Sequence, residues 1–133
     1  MRFEFPVRIY WEDTDAGGIV FYANYLKFFE RARTEWLRYL GVEQQALREA
    51  TGGMFVVVET HLKYHKPAQL DDLLTVNASL LSKGRSSLVI TQQAWRQAAE
   101  PVLLCEGTIR IGWVQAATLR PERIPSSILE RLT

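Results

Sequence analysis

One stretch of this chain keeps a helical period, while most of what surrounds it keeps the period of strands. Phe21, Tyr25, Phe28, Phe29, Ala32, Trp36, Leu37 and Leu40 recur at spacings of three and four, which gathers them on one broad apolar face of a helix. Gly41 is the residue type on which such a helix ends. Lys27, Glu30, Arg31, Arg38 and, toward the boundary, Glu35 fall on the other face. A helix with one apolar face must lie on something, and the rest of the sequence offers a sheet.

Before the helix, Phe3, Phe5, Val7, Ile9 and Trp11 alternate with Glu4, Pro6, Arg8 and Tyr10, the period of a strand with one buried face. Pro6 has no amide for a ladder and belongs at an edge, a bulge or solvent. After the helix, residues 43–50 suit a second short helix, interrupted by Gly52 and Gly53. Residues 55–64 then read as a strand with a face of Val56, Val58, Thr60, Leu62 and Tyr64, closed by Pro67.

Residues 73–81 make another strand, and Ser82, Lys83, Gly84 and Arg85 turn the chain into a strand over 88–96. A last strand spans 102–113, where Gly107 or Gly112 marks a bulge or a close backbone approach. Ser127 followed by Glu130 has the capping-box spacing for a short helix through Ile128, Leu129 and Leu132. About five strands in hairpin-compatible succession, with one early helix, predict an α+β fold: an antiparallel sheet around or against that helix.

The length of 133 residues fits one domain over 1–133, and 47% hydrophobic residues suffice for a core. Sixteen Lys and Arg against fifteen Asp and Glu give no basis for a nucleic-acid partner or an anionic membrane surface. The lone Cys105, in the run Val102, Leu103, Leu104, Cys105, excludes an intrachain disulfide and reads as a packed thiol. The alternating N-terminus with Glu4 is wrong for a secretory signal, and no stretch approaches the length of a transmembrane segment. A cytoplasmic location is expected.

Asp15, Gly17 and Gly18 lie a few residues before the helical period, so their loop can bring a carboxylate near free amides at the helix entrance. Thioester hydrolysis needs an attacking oxygen and donors for the carbonyl oxygen, which Asp15 and such amides can supply. The same spacing also fits an ordinary cap or turn residue. Asp13 and Asp15 suggest a calcium loop, but the twelve-position ligand series is absent. His61 and His65, four apart on or beside a strand, are separated by roughly 13 Å and make poor mutual ligands. No metal site is expected. His65, beside Lys63 and Lys66, can join a phosphate-facing rim.

The run VRIYWEDTDAGGIVFYANYLKFFERARTEW over Val7 to Trp36 resembles the opening of the hotdog-fold acyl-CoA thioesterases, similar to the Tol-Pal-associated (YbgC-like) and 4-hydroxybenzoyl-CoA types. Agreement continues at Tyr64, Pro67, Ala68, Asp71 and Asp72, then from Gly84 to Val89. The resemblance implies a curved sheet wrapped around one long helix. It further implies hydrolysis of acyl-CoA to free acid and CoA, with Asp15 as nucleophile or general base. In that reading the Tyr22 backbone amide polarises the carbonyl, and Gly17 and Gly18 let the loop pass close to the substrate.

By the same resemblance Arg85, with Lys83, Lys63 and His65, contacts CoA phosphates, and Glu30, Arg31 and Arg33 form an interface network. CoA enters as part of the substrate and no cofactor is implied. A homodimer or homotetramer, and protein partners in lipid metabolism or the cell envelope, follow likewise. Tyr22 is a departure, because Tol-Pal-associated members commonly carry histidine there while the aromatic-acyl enzymes carry tyrosine. A neutral tyrosine is a poor base near pH 7. Two other readings share the fold: a noncatalytic acyl-CoA or protein-binding module, and a dehydratase, for which Asp15 lacks a clear histidine partner.

Overall fold

A computed structural model describes residues 3–132; the ends of the domain expected over 1–133 lie outside the described residues. In chain order the elements are β1 (Phe3–Arg8), a 3-10 turn (Trp11–Asp13), α1 (Asn24–Tyr39), α2 (Gln44–Thr51), β2 (Gly53–Tyr64), β3 (Leu73–Lys83), β4 (Ser87–Arg96), β5 (Val102–Gln115) and α3 (Ser126–Arg131). The strands form one antiparallel sheet in the order β1-β3-β4-β5-β2. Both expectations, five strands and an α+β architecture, hold.

Helix α1 packs on β1, β3 and β4. Tyr25, Phe28, Phe29, Ala32, Trp36 and Leu37 are buried, with Val7, Leu74, Val76, Ala78, Leu88 and Ile90 in the same core. Burying each large apolar side chain contributes about 1.5–3 kcal/mol, so this one face supplies a large share of the stability. Gly41, at φ +88°, ends the helix in the left-handed conformation. The start is later than expected: Phe21 lies before α1, bonded through its amide to the Asp13 carbonyl.

Three other expectations are corrected. β1 stops at Arg8, opposite Leu73; Ile9 still bonds the Asp72 carbonyl and the Asp71 N–H, but Asp71, at φ +73°, turns the facing chain away and the ladder ends there. The Asp13 carboxylate then takes the Tyr10 N–H, the chain turns, and Trp11 stands 80% exposed instead of buried. In β2 the register shifts between Val57 and Glu59. This bulge breaks the alternation, so that Phe55 and Leu62, odd and even, both pack on the core. Val58 is exposed, and the face drawn through Val56 and Val58 does not exist as one face.

The capping box at Ser127 does not form. Pro125 occupies the cap position of α3 with no side-chain cap bond, and Ser126 is already helical. Gly107 is a close approach, as expected: a Cβ there would sit 1.9 Å from the His61 carbonyl oxygen. Cys105 is a buried free thiol, and burial pushes its pKa up to about 12. Pro6 lies on edge strand β1. Among the described residues no helix is long and apolar enough to cross a membrane.

Candidate active site

The chain between the 3-10 turn and α1 is closed by its own backbone. Thr14 bridges Val20, the Asp15 N–H donates to the Ile19 carbonyl at 2.9 Å, and the Gly18 N–H donates to the Asp15 carbonyl at 3.0 Å. Gly18 sits at φ +79°, a conformation that side chains resist. Ile19 bridges Gln69 and the Val20 N–H donates to the Ala68 carbonyl, which ties the loop to the segment following β2. Asp13 organises the other flank: its carbonyl accepts the Phe21 N–H at 3.0 Å and the Asn24 side-chain amide at 2.9 Å.

Asp15 is exposed, and one carboxylate oxygen accepts the Gly17 N–H at 2.8 Å. A side chain on Gly17 would begin 3.2 Å from that oxygen. Among the described residues no other donor reaches the carboxylate. Asp15 is therefore a turn residue through one oxygen, and it does not cap α1. The cap position is Ala23, which has no side-chain oxygen to offer.

The helix entrance thus keeps unspent donors. The Phe21 carbonyl accepts the Asn24 N–H at 2.9 Å, and because a trans peptide is planar, the Tyr22 N–H points the opposite way. Neither the Tyr22 nor the Ala23 N–H finds an acceptor among the described residues. Orphan amides at a helix start attract negative charge. The Tyr22 carbonyl accepts a bond from the Tyr64 hydroxyl at 2.9 Å. Tyr64 meets the rings of Tyr22 and Tyr25 edge-on, at 6.2 and 5.6 Å between centroids. The Tyr25 phenol oxygen accepts the Ala68 N–H at 3.1 Å. Burial raises the pKa of Tyr25 and of Tyr64, which keeps both phenols neutral at ordinary pH.

A carboxylate with one free oxygen, on a loop that leads to amides without acceptors, offers the pair of functions that acyl transfer needs. The other sequence-predicted residues divide into two groups. Lys83 ends β3 and Arg85 lies in the β3–β4 turn, where the Ile124 N–H donates to the Arg85 carbonyl and Ser87 pairs with Gly112. Lys63 pairs with Glu106 on β5, and the His65 ring bonds the Glu106 carboxylate at 2.8 Å. Six residues of β5, roughly 20 Å, separate these two positions, so one chain does not bring the four basic residues together.

Glu30, Arg31 and Arg33 do not form a closed network within the chain either. The Glu30 carboxylate accepts the Thr34 hydroxyl at 3.0 Å. Arg33, only 8% exposed, donates to the Gln92 side-chain carbonyl at 3.0 Å; burial lowers its pKa, with the Glu30 charge opposing. The Gln92 amide donates to the Phe29 and Asn77 carbonyls at 3.0 and 3.2 Å. All three predicted residues line a groove of about 630 Å³ between α1 and β2, with Leu26, Val57 and Thr60. Sequence reasoning assigned no role to Tyr64 or Gln92. Gln92 had a signal, since it falls on the inward period of Ile90 and Ala94. Among the described residues no three His, Cys, Asp or Glu side chains gather as a metal site.

Known proteins resemble this chain over nearly its whole length. The chain is 43% identical over 127 residues to the acyl-CoA thioester hydrolase YbgC of Escherichia coli, covering 96% of this chain and 92% of that protein. It is 40% identical over 126 residues to the acyl-CoA thioesterase YbgC of Haemophilus influenzae, covering 95% and 90%. The crystal structure of a 4-hydroxybenzoyl CoA thioesterase mutant complexed with 4-hydroxybenzoyl CoA superposes with a TM-score of 0.94 at 20% identity, covering 99% of both chains. That likeness shows the fold, which is the hotdog arrangement the sequence resemblance implied. Residues 17–102 match the family described as Thioesterase superfamily, and with these relatives over nearly its whole length the chain belongs to that family.

Proposed function

We propose that this protein hydrolyses acyl-CoA thioesters to free acid and CoA, as one hotdog domain with Asp15 and the Tyr22 amide as its chemical centre. The carrying observation is the free carboxylate oxygen of Asp15 on a loop that leads into a helix start with unclaimed N–H groups. Two routes use these parts. In one, Asp15 takes a proton from water, the hydroxide adds to the carbonyl, and the CoA thiolate leaves. In the other, the carboxylate itself attacks, expels the thiolate and forms an anhydride that water then cleaves. In both, the Tyr22 N–H bonds the oxygen on which negative charge develops. Neither route needs a metal or an additional cofactor.

A single turnover in heavy-oxygen water separates the routes: label in the Asp15 carboxylate supports the anhydride, label only in the product supports water attack. The Tyr22 phenol is not needed as a base, so the histidine common at this position in Tol-Pal-associated members is dispensable here. Free CoA released from a saturated acyl-CoA distinguishes hydrolysis from dehydration. Tight CoA binding with no turnover of any acyl class would instead favour the binding-module reading.

For CoA itself the Lys83–Arg85 turn is the better phosphate contact within one chain, because the Glu106 carboxylate stands opposite Lys63 in the ladder and is bonded to the His65 ring, and a carboxylate there repels a phosphate. Contributions from both pairs to one CoA require two subunits. A homodimer or homotetramer is the working form we propose. Its support is the unpaired edge of β2, the adjoining groove with its four charged residues, Lys27 among them, and exposed Leu26 and Val57. Sedimentation at micromolar concentration tests this, and an active species of monomer mass would contradict it. Short aliphatic or small aromatic acyl groups fit best, since Phe21 and Tyr22 are exposed near the site while Tyr25 and Trp36 are spent in the core. Partners in lipid metabolism or the cell envelope rest on the family resemblance, whereas a cytoplasmic location rests on the apolar patterning of the sequence.

A further inference from the structure

The Tyr22–Ala23 peptide is held from a distance of 42 residues in sequence by the Tyr64 hydroxyl. We infer that Tyr64 is a positioning residue, whose hydroxyl aims the unclaimed Tyr22 and Ala23 amides at the thioester carbonyl. The inference rests on the reading of the Tyr22 amide proposed above and adds to it the group that fixes its direction.

The geometry runs through two carbonyls. The Tyr22 N–H belongs to the peptide plane whose carbonyl, Phe21, accepts the Asn24 N–H. The Ala23 N–H belongs to the next plane, whose carbonyl accepts from Tyr64. Planarity makes each N–H point opposite to its own carbonyl. Asn24 therefore orients one amide and Tyr64 the other. Because the two planes share the Tyr22 Cα, freeing the Tyr64 end loosens the pair as a unit.

Among the described residues nothing else holds that second plane. Ala23, in the cap position, has no polar side chain, and the Tyr22 ring is 64% exposed. Tyr64 stands where β2 ends, in edge contact with both Tyr22 and Tyr25, so its ring is fixed before its hydroxyl is used. Burial keeps that hydroxyl protonated, hence a donor, across the usual assay range. A donor aimed wrongly loses much of what a preorganised donor contributes, and removal of one such donor costs about 10²–10³-fold.

The test is Tyr64→Phe, which keeps the ring and removes the hydroxyl. On the acyl-CoA turned over best, kcat should fall about tenfold with KM within about twofold, because misaim weakens transition-state more than ground-state binding. The limbs of the pH profile should not move, since Tyr64 transfers no proton. The second readout is the infrared stretch of the same acyl-CoA, carrying a ¹³C carbonyl, bound to Asp15→Asn enzyme and to the Asp15→Asn/Tyr64→Phe double variant. The Asp15→Asn complex should show the stretch lowered relative to free thioester, and the double variant should lose at least half of that lowering.

Equal lowering in both variants, with parental kcat for Tyr64→Phe, overturns the role of Tyr64 and leaves the amide reading intact. No lowering in either removes the amide reading and this inference together. A fall in thermal midpoint with kcat of the folded enzyme unchanged, or a rise in KM alone, also overturns it.

Discussion

The loop before α1 and the polar knot beneath the middle of α1 are both built from hydrogen bonds, and they differ in whether the bonding is finished. In the knot, Arg33 reaches Gln92, Gln92 reaches Phe29 and Asn77, and Asn77 is bonded both ways with Gln93. Among the described residues no buried side-chain nitrogen or oxygen lacks a partner. In the loop, by contrast, a carboxylate oxygen and two amides have no partner among the described residues. A closed network specifies a core; an open one keeps capacity for a ligand whose charge changes during reaction.

The strongest way to break this comparison is Asp15→Asn, which keeps size and turn-forming capacity but removes the charge. It should fold and assemble like the parent, bind acyl-CoA, and lose at least about 100-fold in turnover. Asp13→Asn should be milder, because the two bonds that the Asp13 carbonyl accepts do not involve its side chain. Near-normal steady-state hydrolysis by folded Asp15→Asn enzyme would falsify the catalytic assignment. The complementary change is Gln92→Leu, which strips the knot of its centre. Leaving a buried guanidinium and two carbonyls short of partners should cost about 1–3 kcal/mol, visible as a lower urea midpoint. Turnover per folded molecule should stay within about twofold, and a large catalytic loss at unchanged stability would erase the distinction between the two regions.

A third region sharpens it. Arg85 is a charged residue of a turn far from the knot, and if it holds CoA phosphates, Arg85→Ala should weaken intact acyl-CoA about tenfold. An acyl-pantetheine analogue without the distal phosphates should bind as before. Matching losses for the two ligands, measured by calorimetry, would return Arg85 to a structural role.

A last effect, confined to alkaline pH, concerns a closed site without a network. The Cys105 thiol moves from its usual 9.0 to about 12 on folding. A folded pKa raised above the unfolded one gives stability that is present in full below pH 9 and lost as pH rises from 9 to about 12. Urea midpoints across that window should fall less steeply in Cys105→Ala than in the parent, and parallel slopes would show that the thiol is not responsible.

Much of this molecule could be read from its sequence because burial follows period. Six of the eight residues expected on the helix face are buried in α1, and the exceptions, Phe21 and Leu40, sit just outside its ends. Arg33 was legible in principle, lying four residues from Phe29 and four from Leu37, both buried. The bulge at Val58 was not, since Val58 has the same strand preference as its neighbours and a bulge is a property of the pair of strands. Nor does alternation say that β1 pairs with β3 and not with β2. Asp15 was distinguishable from an ordinary turn residue only by family resemblance. The structure explains why: it is also a turn residue, through its bond to Gly17. The service of Tyr64 depends on a contact 42 residues away, and nothing local announces it.

The two outer strands each carry an interruption, Pro6 in β1 and the shifted register after Val57 in β2. An incoming strand on the first meets a position with no amide to offer, and on the second meets a kink that ruins a long, even match. Uncontrolled growth into fibrils needs an uninterrupted, flat template on at least one flank. This sheet offers that on neither, so docking that matches the kink is favoured over endless addition, and self-association can stop at a closed assembly instead of running on into aggregate.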